Sequence, residues 1–334
     1  MIKHLIDGDE FGYEFVQKVL HDAILFKNDN TKIPKLNNKI LSLLFFNKSL
    51  RTRFSFLSGI SKLGATAISE NLDSIYGLEH GDNVVMNGKN PEHIKDMMLV
   101  LSRYSDIICI RDSLLSKSEN IDLRQIKKNI CDDSNIRKIA TYSKKPIINM
   151  ESDAAHPMQG FADTMTMIEK FGYLKNKKVC LTWVPHIKKL PIATPQSQLL
   201  MPAILGADIV LACPKECILS EKYLAKYKKY ANSFKITHIQ SEGIKDADVV
   251  IAKSWSSIEN NEFDPYSDEM KKWILDEEKM KFTNKNNGYF THCMPIRRNV
   301  EVSDGVIDGS KSMMIDAAEN RMWVQMSVIN LMLQ

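Results

Sequence analysis

The chain is organised by the alternation of short apolar runs with longer amphipathic stretches. The runs are "ILSLLFF" (40–46), "ATAISE" (65–70), "DIICIR" (106–111) and "PIINM" (146–150), then "KKVCLTWV" (177–184), "ADIVLAC" (207–213), "DVVIAK" (248–253) and "YFTHCM" (289–294). They are too short for helices, and β-branched residues recur in them. Such runs, fed by helices, predict strands of parallel sheets buried on both faces. Helices are expected near 51–63, 92–104, 157–172 and 195–206. The pattern occurs twice. It implies an α/β chain of two doubly wound parallel-sheet domains, 1–152 and 153–316, with a junction near 150–156. The helical stretch at about 317–334 is expected to pack back onto the first domain.

A length of 334 residues suits two such domains. A net charge of +4 with no dominant Lys/Arg run argues against a nucleic-acid partner. No run is long and apolar enough to span a membrane, and the start lacks the pattern of a signal peptide. The six cysteines are scattered, with no zinc spacing, and suit free thiols in a reducing cytoplasm. The proline-rich stretch "VPHIKKLPIATPQS" (184–197) is expected to be irregular in part, and the charged stretch 254–288 to be a surface excursion or lid.

Polar residues gather where strands should end. "FFNKSLRTRFSF" (45–56) places Ser49, Leu50, Arg51 and Thr52 at a strand-to-helix junction. A helix N-terminus carries unpaired N–H groups, and with an arginine fork and a hydroxyl it suits a phosphate. Spacing alone allows equally a capped surface helix with solvated arginines. Further along, "HPMQ" opens a helix with His156 and Gln159 after the fourth run. Arg111 ends the third run, Cys293 and Met294 end the eighth, and Arg321 lies in "AAENRMW". Ligands of open α/β sheets bind at such carboxyl strand ends.

Together these residues resemble the aspartate/ornithine carbamoyltransferase family, from about residue 40 to the C-terminus. "SLRTR" is similar to its carbamoyl-phosphate motif, "HPMQ" to its His-Pro-x-Gln and "HCMP" to its His-Cys-Leu-Pro. "TWVPHIKKLP", "AKSW", "HCMPIRRNV" and "AAENR" resemble the branch that carbamoylates N-acylated ornithine. Pro91, in "MNGKNPEH", stands where succinyl-accepting members carry proline and acetyl-accepting members an acidic residue. An acidic side chain would repel a succinyl carboxylate, and proline would not.

The resemblance implies a homotrimer with shared active sites, no cofactor, no metal, and a proline-rich segment threaded through another loop as a knot. Carbamoyl phosphate would be held by Ser49, the Leu50 amide, Arg51, Thr52 and Arg321. Arg111 and His156 would bind its carbonyl oxygen, and Gln159 with the Cys293–Met294 backbone its NH₂. Catalysis would rest on Arg111, His156 and Cys293, the last as a positioning group. Tyr76 stands where the family's neighbouring-subunit loop usually offers tryptophan. The acylornithine would meet Pro91, Glu151, His186, Lys188, Lys253 and Arg298. The implied reaction is N-succinylornithine carbamoylation in cytoplasmic arginine biosynthesis, with N-acetylornithine the alternative acceptor. A carbamoyltransferase for another acceptor, working catabolically, is a further alternative. A dinucleotide-dependent dehydrogenase would need G-x-G-x-x-G after a strand, and "GISKLGA" is not that. A catalytically silent ligand-binding paralogue should have lost an arginine or histidine of the set.

Overall fold

The computed structural model describes residues 3–113, 127 and 130–334. Its strands, in chain order, are β1 (Ile40–Phe45), β2 (Thr66–Asn71), β3 (Leu78–Glu79), β4 (Glu92–His93), β5 (Ile107–Asp112), β6 (Ile147–Ser152), β7 (Lys178–Trp183), β8 (Asp208–Ala212), β9 (Ser233–Thr237), β10 (Val249–Lys253) and β11 (Tyr289–Thr291). All eight expected runs form strands, and β9 is an edge strand that the apolar pattern did not flag. One parallel sheet has the order β2-β1-β5-β6, the other β11-β10-β7-β8-β9, and β3 and β4 pair separately. The central strands β1, β5, β7 and β10 are almost wholly buried, as the near-continuous apolar runs require.

The expected helices are Leu50–Lys62, Ile94–Tyr104, Pro157–Phe171 and Ala193–Ile204. The last two approach closely. A Cβ at Gly160 would lie 2.4 Å from the Ser197 carbonyl oxygen, so only glycine allows the contact. The C-terminal helix Met314–Met332 packs on Leu50–Lys62, Pro157–Phe171 and the N-terminal helix Gly12–Asn28, so it crosses back to the first half. Buried Asp7 adds a polar tie. Its oxygens lie 2.7 Å from Arg137 Nη2, 2.6 Å from Lys222 Nζ and 2.7 Å from Lys226 Nζ. Arg137 flanks the first sheet and the two lysines flank the second.

The stretch 254–288 differs from the lid expected of it. Trp255 and Leu275 are fully buried and Phe263 and Met270 nearly so. Its charged residues cover the outer face while these apolar anchors hold it to the second sheet. The proline-rich segment is pinned by it: the His186 N–H donates to the Pro265 carbonyl at 3.2 Å and the Ser256 N–H to Leu190 at 2.9 Å. No described helix is long and apolar enough to cross a membrane.

Candidate active site

Each sheet reverses its winding once. In the first sheet the chain runs from β1 to β2 on one side, then to β5 on the other; in the second it runs β7-β8-β9, then to β10. Crevices open at the carboxyl ends of β1/β5 and β7/β10, because their following connections diverge. The two crevices face each other across one cavity of about 350 Å³. From the first come Lys48–Thr52 after β1, Arg111 on β5 and Glu151 on β6. From the second come His186 after β7 and Lys253 ending β10. His156, Gln159, Thr194, Cys293, Met294, Glu301 and Arg321 also line it.

The phosphate-like corner is built by local rules. Ser49 is the N-cap of Leu50–Lys62, extended in backbone, and its hydroxyl accepts from the Thr52 N–H at 3.4 Å. The Leu50 side chain is 70% exposed, so its backbone alone serves the cavity. Arg321 reaches in from the C-terminal helix, and its Nη2 donates to Thr52 Oγ1 at 2.7 Å. Burial, then the charge of Arg111, pulls the Arg321 guanidinium down to about 10. Arg53 turns away, hydrogen-bonding Asn71 and stacking 4.4 Å from the Phe45 ring centroid.

At the centre Arg111 is ion-paired with Glu151, and His156 Nε2 lies 3.3 Å from the same Glu151 oxygen. Burial pushes the His156 imidazole down to about 3, outweighing the pull of Glu151, so it is neutral. Burial pushes Glu151 up, but the charge and hydrogen bond of Arg111, with the charge of Arg321, outweigh it and hold the carboxyl below its ordinary range. Arg111 Nε, His156 Nδ1 and Arg321 Nε are buried without a partner among the described residues. Gln159 Nε2 donates to Asp163 Oδ1 at 2.9 Å. The half-buried Cys293 thiol is pushed up to about 11 by burial, which leaves it protonated and unsuited to nucleophilic attack. The Met294–Pro295 peptide is cis.

Of the sequence-derived site residues, Ser49, Leu50, Arg51, Thr52, Arg111, Glu151, His156, Gln159, His186, Lys253, Cys293, Met294 and Arg321 line this cavity. Four do not. Tyr76, half exposed, donates to Glu92, and Pro91 is exposed beside it in sequence. Lys188 is exposed on the proline-rich segment, beyond the lining residue His186. Arg298 is clamped outside by Asp304 at 2.8 Å and Asp308 at 2.7 Å. The neighbouring Arg297 turns the other way, its Nε 3.1 Å from His186 Nε2. Lys48 and Glu301 line the cavity without having been singled out. Glu301 is 1% exposed, with one oxygen 3.2 Å from His292 Nε2 and the other accepting from the Arg297 N–H at 2.7 Å. Its carboxyl stands at about 2, because His292 and Lys253 overcome burial. Among the described residues no cluster could hold a metal ion.

Two family models match: the aspartate/ornithine carbamoyltransferase carbamoyl-P binding domain over residues 3–169 and the Asp/Orn binding domain over 192–332. N-acetylornithine carbamoyltransferase of Xanthomonas campestris is 35% identical, covering 98% of this chain and 97% of the relative. N-succinylornithine carbamoyltransferase of Bacteroides thetaiotaomicron is 30% identical, covering 92% and 91%. A solved N-acetyl-L-ornithine transcarbamylase, in which a glutamate is replaced by proline, holds carbamyl phosphate and N-succinyl-L-norvaline. It superposes with a TM-score of 0.90 at 34% identity, covering 99% of this chain and 100% of that one. Fold and site thus define a two-sheet carbamoyl-transfer enzyme. The chain belongs to the aspartate/ornithine carbamoyltransferase family, in its N-acylornithine branch.

Proposed function

We propose that the protein transfers the carbamoyl group of carbamoyl phosphate to the side-chain amine of N-succinylornithine, giving N-succinylcitrulline and phosphate. The observation that carries this reading is the convergence of a helix N-terminus with Arg111, His156 and Arg321, three of whose buried nitrogens lack a partner among the described residues. Such donors suit a dianion and a carbonyl on which charge develops. Ser49, the Leu50 amide, Arg51, Thr52 and Arg321 would take the phosphate. Arg111 and neutral His156 now share Glu151 and would exchange part of that pairing for the carbonyl oxygen. Gln159 and the Cys293–Met294 backbone would hold the carbamoyl NH₂.

The acceptor would enter from the second crevice. Lys253 would take its α-carboxylate, and Glu151 and His186 would orient its chain. Its neutral amine attacks the carbamoyl carbon, the C–O bond to phosphate breaks with its electron pair going to phosphate, and the departing phosphate takes the amine proton. Pairing the reactants in one cavity can supply about 7–11 kcal/mol of the barrier. The domains would be 1–152 and 153–316, one for each reactant. Tyr76 and Pro91 lie outside the cavity of their own chain, which fits a homotrimer where each completes a neighbour's site. Arginine biosynthesis in the cytoplasm, and a knotted proline-rich segment, belong to the same reading.

Pro91 supports the succinyl acceptor, as does the solved relative whose glutamate-to-proline variant holds N-succinyl-L-norvaline. The acetyl acceptor is favoured by the 35% identity to the Xanthomonas enzyme against 30% to the Bacteroides one. The test is carbamoyl transfer to N-succinylornithine, N-acetylornithine and ornithine side by side. The succinyl compound should turn over fastest. Preference for the acetyl compound would overturn the acceptor assignment, and no transfer to any would overturn the whole reading.

A further inference from the structure

Asp163 lies one helical turn beyond Gln159 and has no place in the transfer as described. It is fully buried, and its two carboxylate oxygens accept from two side-chain amides. Gln159 Nε2 donates to Oδ1 at 2.9 Å and Gln198 Nε2 to Oδ2 at 2.7 Å. An ionised carboxylate only accepts, so each glutamine must turn its NH₂ toward it. The consequence for Gln198 is visible: its Oε1 is buried without a partner among the described residues. For Gln159 the same constraint leaves Oε1 as the amide's remaining group, on a residue that lines the cavity and shows no bond from Oε1 among the described residues.

We propose that Asp163 is the positioning residue that selects carbamoyl over other acyl groups, by fixing Gln159 with its carbonyl oxygen toward the substrate NH₂. The proposal rests on the carbamoyl-phosphate reading of the cavity. A carbamoyl NH₂ donates to this oxygen. The methyl of acetyl phosphate, similar in shape, cannot, and would leave a buried acceptor unpaired. If the Gln159 amide were free to turn, the discrimination would fall. Asp163 acts through Gln159 and touches no reacting atom.

The experiment is direct binding of carbamoyl phosphate and of acetyl phosphate to the full-length protein, wild type and Asp163→Asn, by calorimetry. Asparagine keeps the shape but offers one acceptor oxygen to two amide donors. The wild type should prefer carbamoyl phosphate strongly. In the variant that preference should fall about tenfold or more, through weaker carbamoyl phosphate binding, with acetyl phosphate affinity unchanged. A merely structural Asp163 would weaken both ligands alike or neither, and either result overturns the proposal, as does a wild type without preference. Should the variant fail to fold, the wild type still decides. Burial, only partly offset by Gln198, Gln159 and Arg321, holds the Asp163 carboxyl up at about 6. The ionisable group among these is Arg321, at about 10, so it does not titrate near pH 6. The preference should therefore fall as pH drops through 6, since protonation turns one Asp163 oxygen into a donor and loosens the constraint that fixes the amides. Titration of the acyl phosphate itself is common to both ligands and cancels in the ratio. A pH-independent ratio overturns the proposal. Wild-type transfer, assayed separately, reports on the underlying function: activity with an unchanged ratio refutes Asp163 alone.

Discussion

Arg111 on β5 and Glu151 on β6 stand opposite each other only because the register between the two strands shifts after Ile110, skipping Met150. Up to Ile110 and Asn149 the pairing advances residue by residue; beyond it Arg111 faces Glu151. A bulge of this kind re-aims side chains beside a site. It brings a guanidinium and a carboxylate together at the cavity, with side chains only 11% and 13% exposed. Lysine at 111 would keep the charge but lose the planar fork that lets one side chain hold Glu151 and a carbonyl oxygen together. Arg111→Lys is expected to lower kcat by about 10²–10³, the usual loss for one donor to a developing oxyanion. Steady-state kinetics check this, with an unchanged melting temperature excluding misfolding.

His156 makes the folded protein sensitive to acid. Its imidazole has an ordinary value of 6.5 and is pushed down to about 3 by burial in the native state. Between those values the unfolded chain binds a proton that the native chain refuses. Stability therefore is full above pH 6.5 and declines as pH falls toward 3. Between pH 6.5 and 5 the contribution is about 2 kcal/mol. His156→Gln removes it, so the variant's melting temperature should fall less than the wild type's between pH 7 and 5. Parallel declines in a differential melting series would contradict the buried neutral imidazole.

That Ser49 to Thr52 would gather at one corner was legible in the sequence because these residues are consecutive. Ser49 to Thr52 sit at one strand-to-helix junction, and a single cap geometry delivers them together. The far side of the cavity, around His186, was harder to read. Arg297 and Arg298 are exposed neighbours of the same type, and which one reaches His186 depends on the turn in which Glu301 accepts from the Arg297 N–H. That contact spans a loop of no regular period, so sequence pattern carries no trace of it. The edge strand β9 alternates exposed and half-buried residues and so lacks an apolar run. The N-terminal helix was not among the expected ones although "FVQKVLHDAILF" carries its signal: Val16, Val19, Leu20 and Ala23 recur at helical spacing and are all buried.

Glu301 should prove necessary to the fold of the turn that carries Arg297. Its carboxylate holds His292 from one oxygen and the Arg297 backbone from the other. Glutamine could keep one of these bonds, not both with the same strength. Glu301→Gln is expected to cost about 2 kcal/mol at pH 7, as for a buried hydrogen bond to a charged group. The native carboxyl stands at about 2 against an ordinary 4.5. Its contribution is therefore present above pH 4.5 and lost as pH falls toward 2. Thermal melts should separate wild type and variant by several degrees at pH 7 and by less at pH 3.5. Equal separation at both would show that the charge is not what holds the turn.

Pro91 allows the proposed acceptor choice to be tested directly. The ring is exposed and outside the cavity of its own chain, so an acidic residue there should leave the fold undisturbed. If Pro91 faces a neighbour's acceptor, Pro91→Glu sets a fixed negative charge against the succinyl carboxylate and leaves the uncharged acetyl group unopposed. The ratio of kcat/KM for the succinyl to the acetyl compound should fall at least about tenfold, chiefly through KM for the succinyl compound, with KM for carbamoyl phosphate unchanged. Because the introduced carboxylate would be solvent-exposed, the effect should weaken at high salt, where exposed charges are screened within about 3 Å at 1 M. A variant whose acceptor ratio matches the wild type at every salt concentration would place Pro91 outside the site altogether and leave the acetyl acceptor as the better reading.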